Sequence, residues 1–140
     1  MKAQLNRRHR VLRARHVQYA LAAADAARAQ DEADAIASNA ERLTRVRSQL
    51  FQGDGLSSGA SFGAYRELAE RLERAGRQLD GALYDANIKV EEKHSKRIEA
   101  NREKEIAERL KDQTRNLINE QLEARIAALP RYRRIQRAEG

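Results

Sequence analysis

The stretch that decides the fold reads YALAAADAARAQDEADAIASNAERL and covers residues 19–43. Its small and apolar residues recur every seven positions in two columns, which is the a and d pattern of a coiled-coil heptad. Extended outward, the first column contains Leu5, Leu12, Tyr19, Ala26, Ala33 and Ala40. The second column contains Ala22, Ala29, Ile36, Leu43 and Leu50. The period predicts one helix over about residues 4–51, with its apolar columns interrupted at Arg8, Arg15 and Arg47. Its alanines would allow a partner helix to approach closely.

A second heptad pattern follows a segment rich in Gly and Ser. Its columns contain Tyr65, Leu68, Leu72, Ala75, Leu79, Ala82 and Ala86. Charged residues dilute the pattern over residues 89–105, and apolar residues return between Ile106 and Leu129. Since Pro130 cannot continue a helix, we predict a second helix over about 64–129. It would follow a loop over about 52–63, with Ser61 as its N-cap, and precede a basic tail over 130–140.

These two patterns predict an all-α fold, a long antiparallel two-helix coiled-coil hairpin that forms a single domain over residues 1–140. A short polar loop between two heptad-bearing helices favours the antiparallel arrangement. The simplest register places Leu50 near Tyr65 and Leu5 near Leu110. Residues 111–129 would then extend beyond the start of the first helix, and both basic termini would fall toward the same end.

The composition argues against several classes of protein. Leu, Ile, Val and Phe together supply 27 of 140 residues, and there is no Trp, so the side chains that usually wall an enzyme pocket are scarce. The chain has no Cys and therefore no disulfide, zinc thiolate or cysteine nucleophile. No apolar run approaches the roughly 18 residues of a membrane span, and the basic N-terminus has no apolar segment of a secretory signal behind it. We expect a cytosolic protein without enzymatic activity.

The polar clusters do not indicate a catalytic, cofactor or metal site. His9 and His16 lie on one helical face but about 10 Å apart, too far to share a metal ion without a further ligand. The carboxylates of residues 91–105 lack the Glu-x-x-His pattern of a diiron bundle. Gly53-Asp54-Gly55 has neither the lysine nor the preceding strand of a phosphate-binding loop. We therefore predict no catalytic residues, cofactors or metal.

The net charge of +7 is concentrated at the two ends of the chain. Residues 1–16 contain six basic residues and no acid, and residues 130–140 contain four basic residues and one acid. Such ends could be solvated surface, could bind an acidic protein surface, or could bind nucleic acid or anionic lipid. We favour the acidic protein surface. The apolar residues of the 117–129 segment could instead form a seam for self-association.

One stretch of the second helix resembles a known family. Residues 65–75 read YRELAERLERA, which is similar to the start of the second helix in the flagellar export protein FliJ, where a Tyr precedes an apolar residue and then Leu-Glu-x-Ala. The matching piece here is LERA, residues 72–75. A Gly- and Ser-containing loop precedes it (GLSSG, 55–59), and a charged stretch with an Arg-Leu pair follows (RLKDQ, 109–113). The type III secretion stalk family YscO has the same design.

The resemblance implies a stalk of the type III export apparatus that serves flagellum biogenesis. FliJ-like proteins are antiparallel coiled coils similar to the rotary ATPase gamma subunit. They insert into the ring of the export ATPase (FliI-like) and activate it. They also contact the export gate (FlhA-like) and export chaperones. The implied location is the cytoplasmic face of the inner membrane, reached through the apparatus. The ATPase-binding tip would comprise Arg7, Arg8, Arg10, Arg13, Leu117, Leu122, Arg131, Arg133 and Arg134.

A gate contact carried over from the family would fall on Leu68, Leu72, Ala75 and Leu79. The same four residues belong to the predicted seam, so either the first helix ends early or the register is rotated there. Two other functions remain open: a basic coiled coil that binds nucleic acid, and a homo-oligomeric scaffold with 111–129 as its seam. The residues alone do not separate a flagellar role from a virulence-type secretion role.

Overall fold

The structure, a computed structural model, describes residues 1–52 and 59–129. It contains two helices, α1 (Lys2–Gln52) and α2 (Gly59–Ala128), which pack against each other, so the all-α two-helix prediction is confirmed. Helix α2 begins at Gly59, five residues before the predicted start and ahead of Ser61. Ser61 is therefore not the N-cap, because the helical backbone already includes it. No stretch of either helix, over the described residues, is long and apolar enough to cross a membrane.

Each helix contributes to two compact units. Residues 22–97 form one unit, called here the alanine unit. Residues 1–21 and 98–140, described as far as 129, form the other, called here the terminal unit. The two units are described separately below.

The alanine unit packs its two helices in antiparallel fashion. The ring of Phe51 lies edge-on to that of Tyr65 with centroids 6.0 Å apart, one residue from the predicted Leu50–Tyr65 pairing. Further along, the Glu32 carboxylate lies 3.4 Å from the ammonium of Lys89. The predicted heptad positions of α1 in this unit are all buried or half-buried. Arg47, which was expected to interrupt the columns, is half-buried as well, as are Ala23, Asp25 and Ala37. Ala29 and Ala33 are the most buried residues described, each only 3% exposed. As predicted, alanine permits close approach between the helices.

The register of α2 in the alanine unit differs from the prediction in one column. The column of Tyr65, Leu72, Leu79 and Ala86 is half-buried as predicted. The second column lies one residue further along, at Ala69, Gly76, Leu83 and Val90. Leu68 is consequently 44% exposed, and Ala82 is exposed as well. The misplacement began at Leu68, which was assigned to the seam for its apolar character. The actual column contains the larger Leu83 and Val90 as well as the small residues Ala69 and Gly76.

The terminal unit keeps the heptad spacing but fills it with long polar residues. Leu12 and Ala107 are buried, whereas Arg8, Arg15 and Lys104 occupy heptad positions and are half-buried. The sequence suggested that these arginines interrupt the seam, but the structure shows that they do not. Instead they extend it, because their aliphatic stems cover apolar surface while the charged ends reach water.

Packing in the terminal unit extends further along α2 than predicted. Arg15 donates to the Glu103 carboxylate at 2.8 Å. The predicted register instead pairs Arg15 with a residue three positions earlier in α2. Thr114 is 7% exposed and donates its hydroxyl to the carbonyl of Leu110 at 2.9 Å, while Ile118 is half-buried. The prediction that residues 111–129 all extend beyond the first helix is therefore wrong for 111–118.

Candidate partner-binding surface

The first four turns of α1 carry the strongest positive charge of the terminal unit. Among the predicted tip residues, Arg7, Arg10 and Arg13 are exposed, whereas Arg8 is half-buried on the heptad seam. Spacings of three and six residues place Arg7, Arg10 and Arg13 on the outer side of α1. These three exposed guanidinium groups, called here the arginine face, are the ones available to a partner.

The arginine face has no ionic partner among residues 1–52 and 62–129. No carboxylate in that part of the chain lies within 4.0 Å of Arg7, Arg8, Arg10 or Arg13. Arg15 differs, because it binds both Glu103 at 2.8 Å and the Gln18 side-chain oxygen at 2.9 Å. Since residues 1–21 contain no acid, the positive charge at the start of α1 is not balanced locally.

Two histidines lie beside the arginine face. A shallow groove on α1 is lined by Asn6, His9, Arg10, Leu12, Arg13 and His16. Apart from Leu12, which is buried in the seam, the lining side chains all have polar groups that can form hydrogen bonds, and four of the six carry donors in a guanidinium or imidazole group. Such a groove suits oxygen acceptors such as carboxylates. Within the described residues, no three His, Cys, Asp or Glu side chains converge on a possible metal position.

The C-terminal part of α2 exposes a line of apolar side chains. Leu122 is 49%, Ile126 64% and Leu129 62% exposed, and these follow the half-buried Ile118. At about 100° per residue, Ile118, Leu122 and Ile126 fall within about 80° of the helix circumference, and Leu129 follows directly after the end of α2. This set is called here the apolar stripe. Leu117, the other predicted tip residue, is 54% exposed and lies to one side of it.

The four residues assigned to the gate contact lie in the alanine unit and have unequal exposure. Leu72, Ala75 and Leu79 are half-buried against α1, whereas Leu68 is exposed. The first helix does not end early, since α1 continues to Gln52, and the shifted column exposes only Leu68 while the other three residues remain half-buried. Only Leu68 presents a large apolar surface without any change in the packing of the two helices.

Some site residues lie beyond the structure, and others escaped the sequence prediction. Arg131, Arg133 and Arg134 lie outside the described residues. Lys104 and Lys111 were not predicted, yet both occupy the seam of the terminal unit, and the Lys104 ammonium lies 4.4 Å from the centroid of the Tyr19 ring. Both lysines belong to the shifted column of α2 that includes Gly76, Leu83 and Val90, so continuing the predicted columns by seven residues would not have found them.

The comparisons with known proteins found no match. No family model matches the chain, and neither a curated protein nor a solved structure matches it. The class that the fold and surface define is a two-helix all-α protein with an uncompensated basic helix start and an exposed apolar stripe in the same unit.

Proposed function

We propose that this chain is a non-enzymatic coupling protein that binds an acidic protein through its terminal unit. The more specific form of the proposal is a stalk component of a type III export apparatus. There it would bind and activate the export ATPase ring and link that ring to the export gate and chaperones. In that role the protein would sit at the cytoplasmic face of the inner membrane without spanning it.

The observation that carries the proposal is the arginine face. Three exposed guanidinium groups lie on consecutive turns of one helix, and the described residues offer them no carboxylate. Solvated arginines bind carboxylates readily because the planar guanidinium can donate two parallel hydrogen bonds. The apolar stripe in the same unit would supply the hydrophobic part of such an interface, as expected for a surface that combines apolar and charged contacts.

The specific proposal is tested by ATP turnover of the candidate export ATPase, titrated with this protein at about 150 mM salt, where exposed charges more than roughly 8 Å apart are largely screened. We expect saturable stimulation. Replacement of Arg7, Arg10 and Arg13 with Glu should reduce binding by at least about 100-fold, since each reversed contact costs on the order of 1 kcal/mol. Arg8 is left unchanged because it is half-buried in the seam.

A matched control reverses three exposed arginines of the alanine unit. Arg28, Arg42 and Arg45 lie on the same helix and are exposed, so their replacement with Glu changes the net charge equally. Equal loss of binding in both variants would mean that the net charge of the chain determines binding. That result would contradict the assignment to the arginine face. Circular dichroism of both variants checks that the helices remain intact.

The nucleic-acid alternative predicts a different result. A basic coiled coil that binds phosphates would retain affinity for duplex DNA of any sequence, and that affinity would fall steeply with salt. Tight DNA binding, together with no effect on the ATPase, would contradict the coupling role and support nucleic-acid binding.

The gate contact is proposed in a reduced form, at Leu68. Since Leu72 and Leu79 are half-buried against α1, only Leu68 can be replaced by Glu without disturbing the seam. If the gate domain binds there, Leu68→Glu should weaken gate binding and leave the stimulation of the ATPase unchanged. Unaltered binding of the gate domain would contradict this placement.

A further inference from the structure

The apolar stripe begins where the packing between the helices of the terminal unit ends. Ile118 is the last half-buried residue of α2, and residues 119–129 are all exposed. The seam positions Lys111, Thr114 and Ile118 would continue at residues 121, 125 and 128, which are Gln, Arg and Ala. The apolar residues instead follow at 122, 126 and 129. The stripe therefore lies on a different side of α2 from the positions that would continue the seam. The two surfaces meet at Ile118.

The charges around the stripe have one sign. Arg115 and Arg125 project within about 60° of the middle of the stripe. The acids Glu120 and Glu123 project more than about 90° away from it on the same helix. A partner lying along the stripe would therefore meet two arginines of α2. The arginine face of α1 belongs to the same unit and has the same sign.

The stripe spans twelve residues, about three helical turns, and its apolar side chains are spaced four, four and three residues apart. That is the spacing by which one helix packs along another. From this pattern and the flanking charge, we infer that the stripe binds an acidic amphipathic helix of the partner protein. Its apolar side chains would pack on Leu122 and Ile126, and its carboxylates would pair with Arg115 and Arg125. This inference rests on the proposed function, in which the partner is an acidic protein.

A second copy of this chain is a poorer occupant. Two stripes facing each other would bring two sets of Arg115 and Arg125 together, and like charges across an interface are destabilising. Four aliphatic side chains also bury only a fraction of the roughly 1,000 Å² that a stable interface requires. The apolar contact alone is therefore weak. Opposite charge on the partner would supply the missing affinity and the preference for one partner over another.

The test uses the full chain and two labelled synthetic helical peptides of about 20 residues, a length that allows helix formation. Both carry leucines at heptad a and d positions, and their remaining positions are mainly Glu in one peptide and mainly Lys in the other. Fluorescence anisotropy measures their affinities. We expect the Glu peptide to bind at least about tenfold more tightly than the Lys peptide, which corresponds to about 1.4 kcal/mol. Equal affinities would overturn the inference.

Variants of the chain locate the binding site. Leu122→Asn combined with Ile126→Asn removes the apolar contact without adding charge, and should lower the affinity for the Glu peptide about tenfold. The matched control, Ala124→Asn with Ala127→Asn, makes the same number of changes at exposed positions outside the stripe and should change it less than about twofold. Equal loss in both variants would overturn the placement.

Two further measurements separate the other outcomes. If the molar mass from light scattering is that of a dimer, and only the stripe variant becomes monomeric, the occupant is a second copy and the inference is wrong. If the stripe variant stimulates the ATPase normally while the arginine-face variant does not, the inference fails and the proposed function stands. If the wild-type chain stimulates no ATPase yet binds the Glu peptide at the stripe, the specific proposed function fails instead.

Discussion

The two units use the same seven-residue period with opposite chemistry. In the alanine unit, the seam of α1 consists mainly of small residues, and Ala29 and Ala33 are almost fully buried. In the terminal unit, the equivalent positions include Arg8 and Arg15, which remain half-buried. The period therefore decides which residues face the partner helix, whereas side-chain size and charge decide how closely the helices approach. Close packing in one unit can hold the helices together while the other unit keeps its charge available.

The largest effect is expected from a carboxylate placed in the alanine seam. Ala33→Glu would put a longer, charged side chain at a position that is 3% exposed. Overpacking and the burial of an unpaired charge should lower the free energy of unfolding by about 3 kcal/mol. Urea unfolding followed by circular dichroism measures this change. The control is Ala35→Glu at an exposed position, which should change stability by less than about 0.5 kcal/mol. Similar stabilities for the two variants would contradict close packing at Ala33.

Two glycines of α2 offer a smaller gain in stability. A Cβ at Gly76 would lie 3.5 Å from Cδ2 of Leu43, an ordinary contact, whereas a Cβ at Gly81 would meet nothing within 4 Å. Each Gly→Ala change should raise the free energy of unfolding by about 1 kcal/mol, because alanine is the better helix former. Gly76→Ala should gain a few tenths of a kcal/mol more by burying its methyl group. Thermal unfolding compares the two. A loss of stability in Gly76→Ala alone would mean that the helices approach more closely there than this contact indicates.

The half-buried arginines of the terminal unit should limit its stability. Arg8 occupies a seam position, and no carboxylate within the described residues lies within 4.0 Å of it. Since a polar residue at a heptad a or d position lowers stability, Arg8→Leu should raise the free energy of unfolding by about 0.7 kcal/mol. Hydrogen exchange of the amides of residues 2–21 would show where the gain falls. Arg10→Leu, at an exposed position, should give no such gain, and equal gains would remove the contrast between seam and surface.

Much of the fold could be predicted from the sequence because the heptad repeats over many turns. The columns of Leu12, Ala29 and Leu43 in α1 are confirmed by their burial. The second column of α2 was misplaced by one residue, because Leu68 was assigned to the seam for its apolar character, whereas the seam continues through Ala69, Gly76 and Leu83. Both candidate columns contain small and apolar residues, so hydrophobicity alone does not distinguish two registers that differ by one residue.

The candidate site was predictable in a different way. Charge counts alone identified the basic start of α1, but only the structure separates the exposed Arg7 from the half-buried Arg8. The apolar periodicity that includes Leu117, Leu122, Ile126 and Leu129 was predicted, and these residues are exposed. The packing was expected to end before residue 111 and continues to Ile118. The boundary of the binding surface is thus displaced by about two turns, of which the three-residue register shift at Arg15 and Glu103 explains only part.

The smallest effect should come from the ion pairs that join the helices, and it tests whether charge stabilises the terminal unit. Arg15 lies 2.8 Å from Glu103, but their side chains are 38% and 46% exposed, so water and salt weaken the attraction. A double-mutant cycle with Arg15→Ala and Glu103→Ala should give a coupling energy of about 0.5 kcal/mol, falling further as salt is added. In the alanine unit, the longer and more exposed Glu32–Lys89 pair should give less. A coupling above about 2 kcal/mol for Arg15–Glu103 would contradict a water-accessible pair. It would also mean that ion pairing, and not only Leu12 and Ala107, holds this unit together.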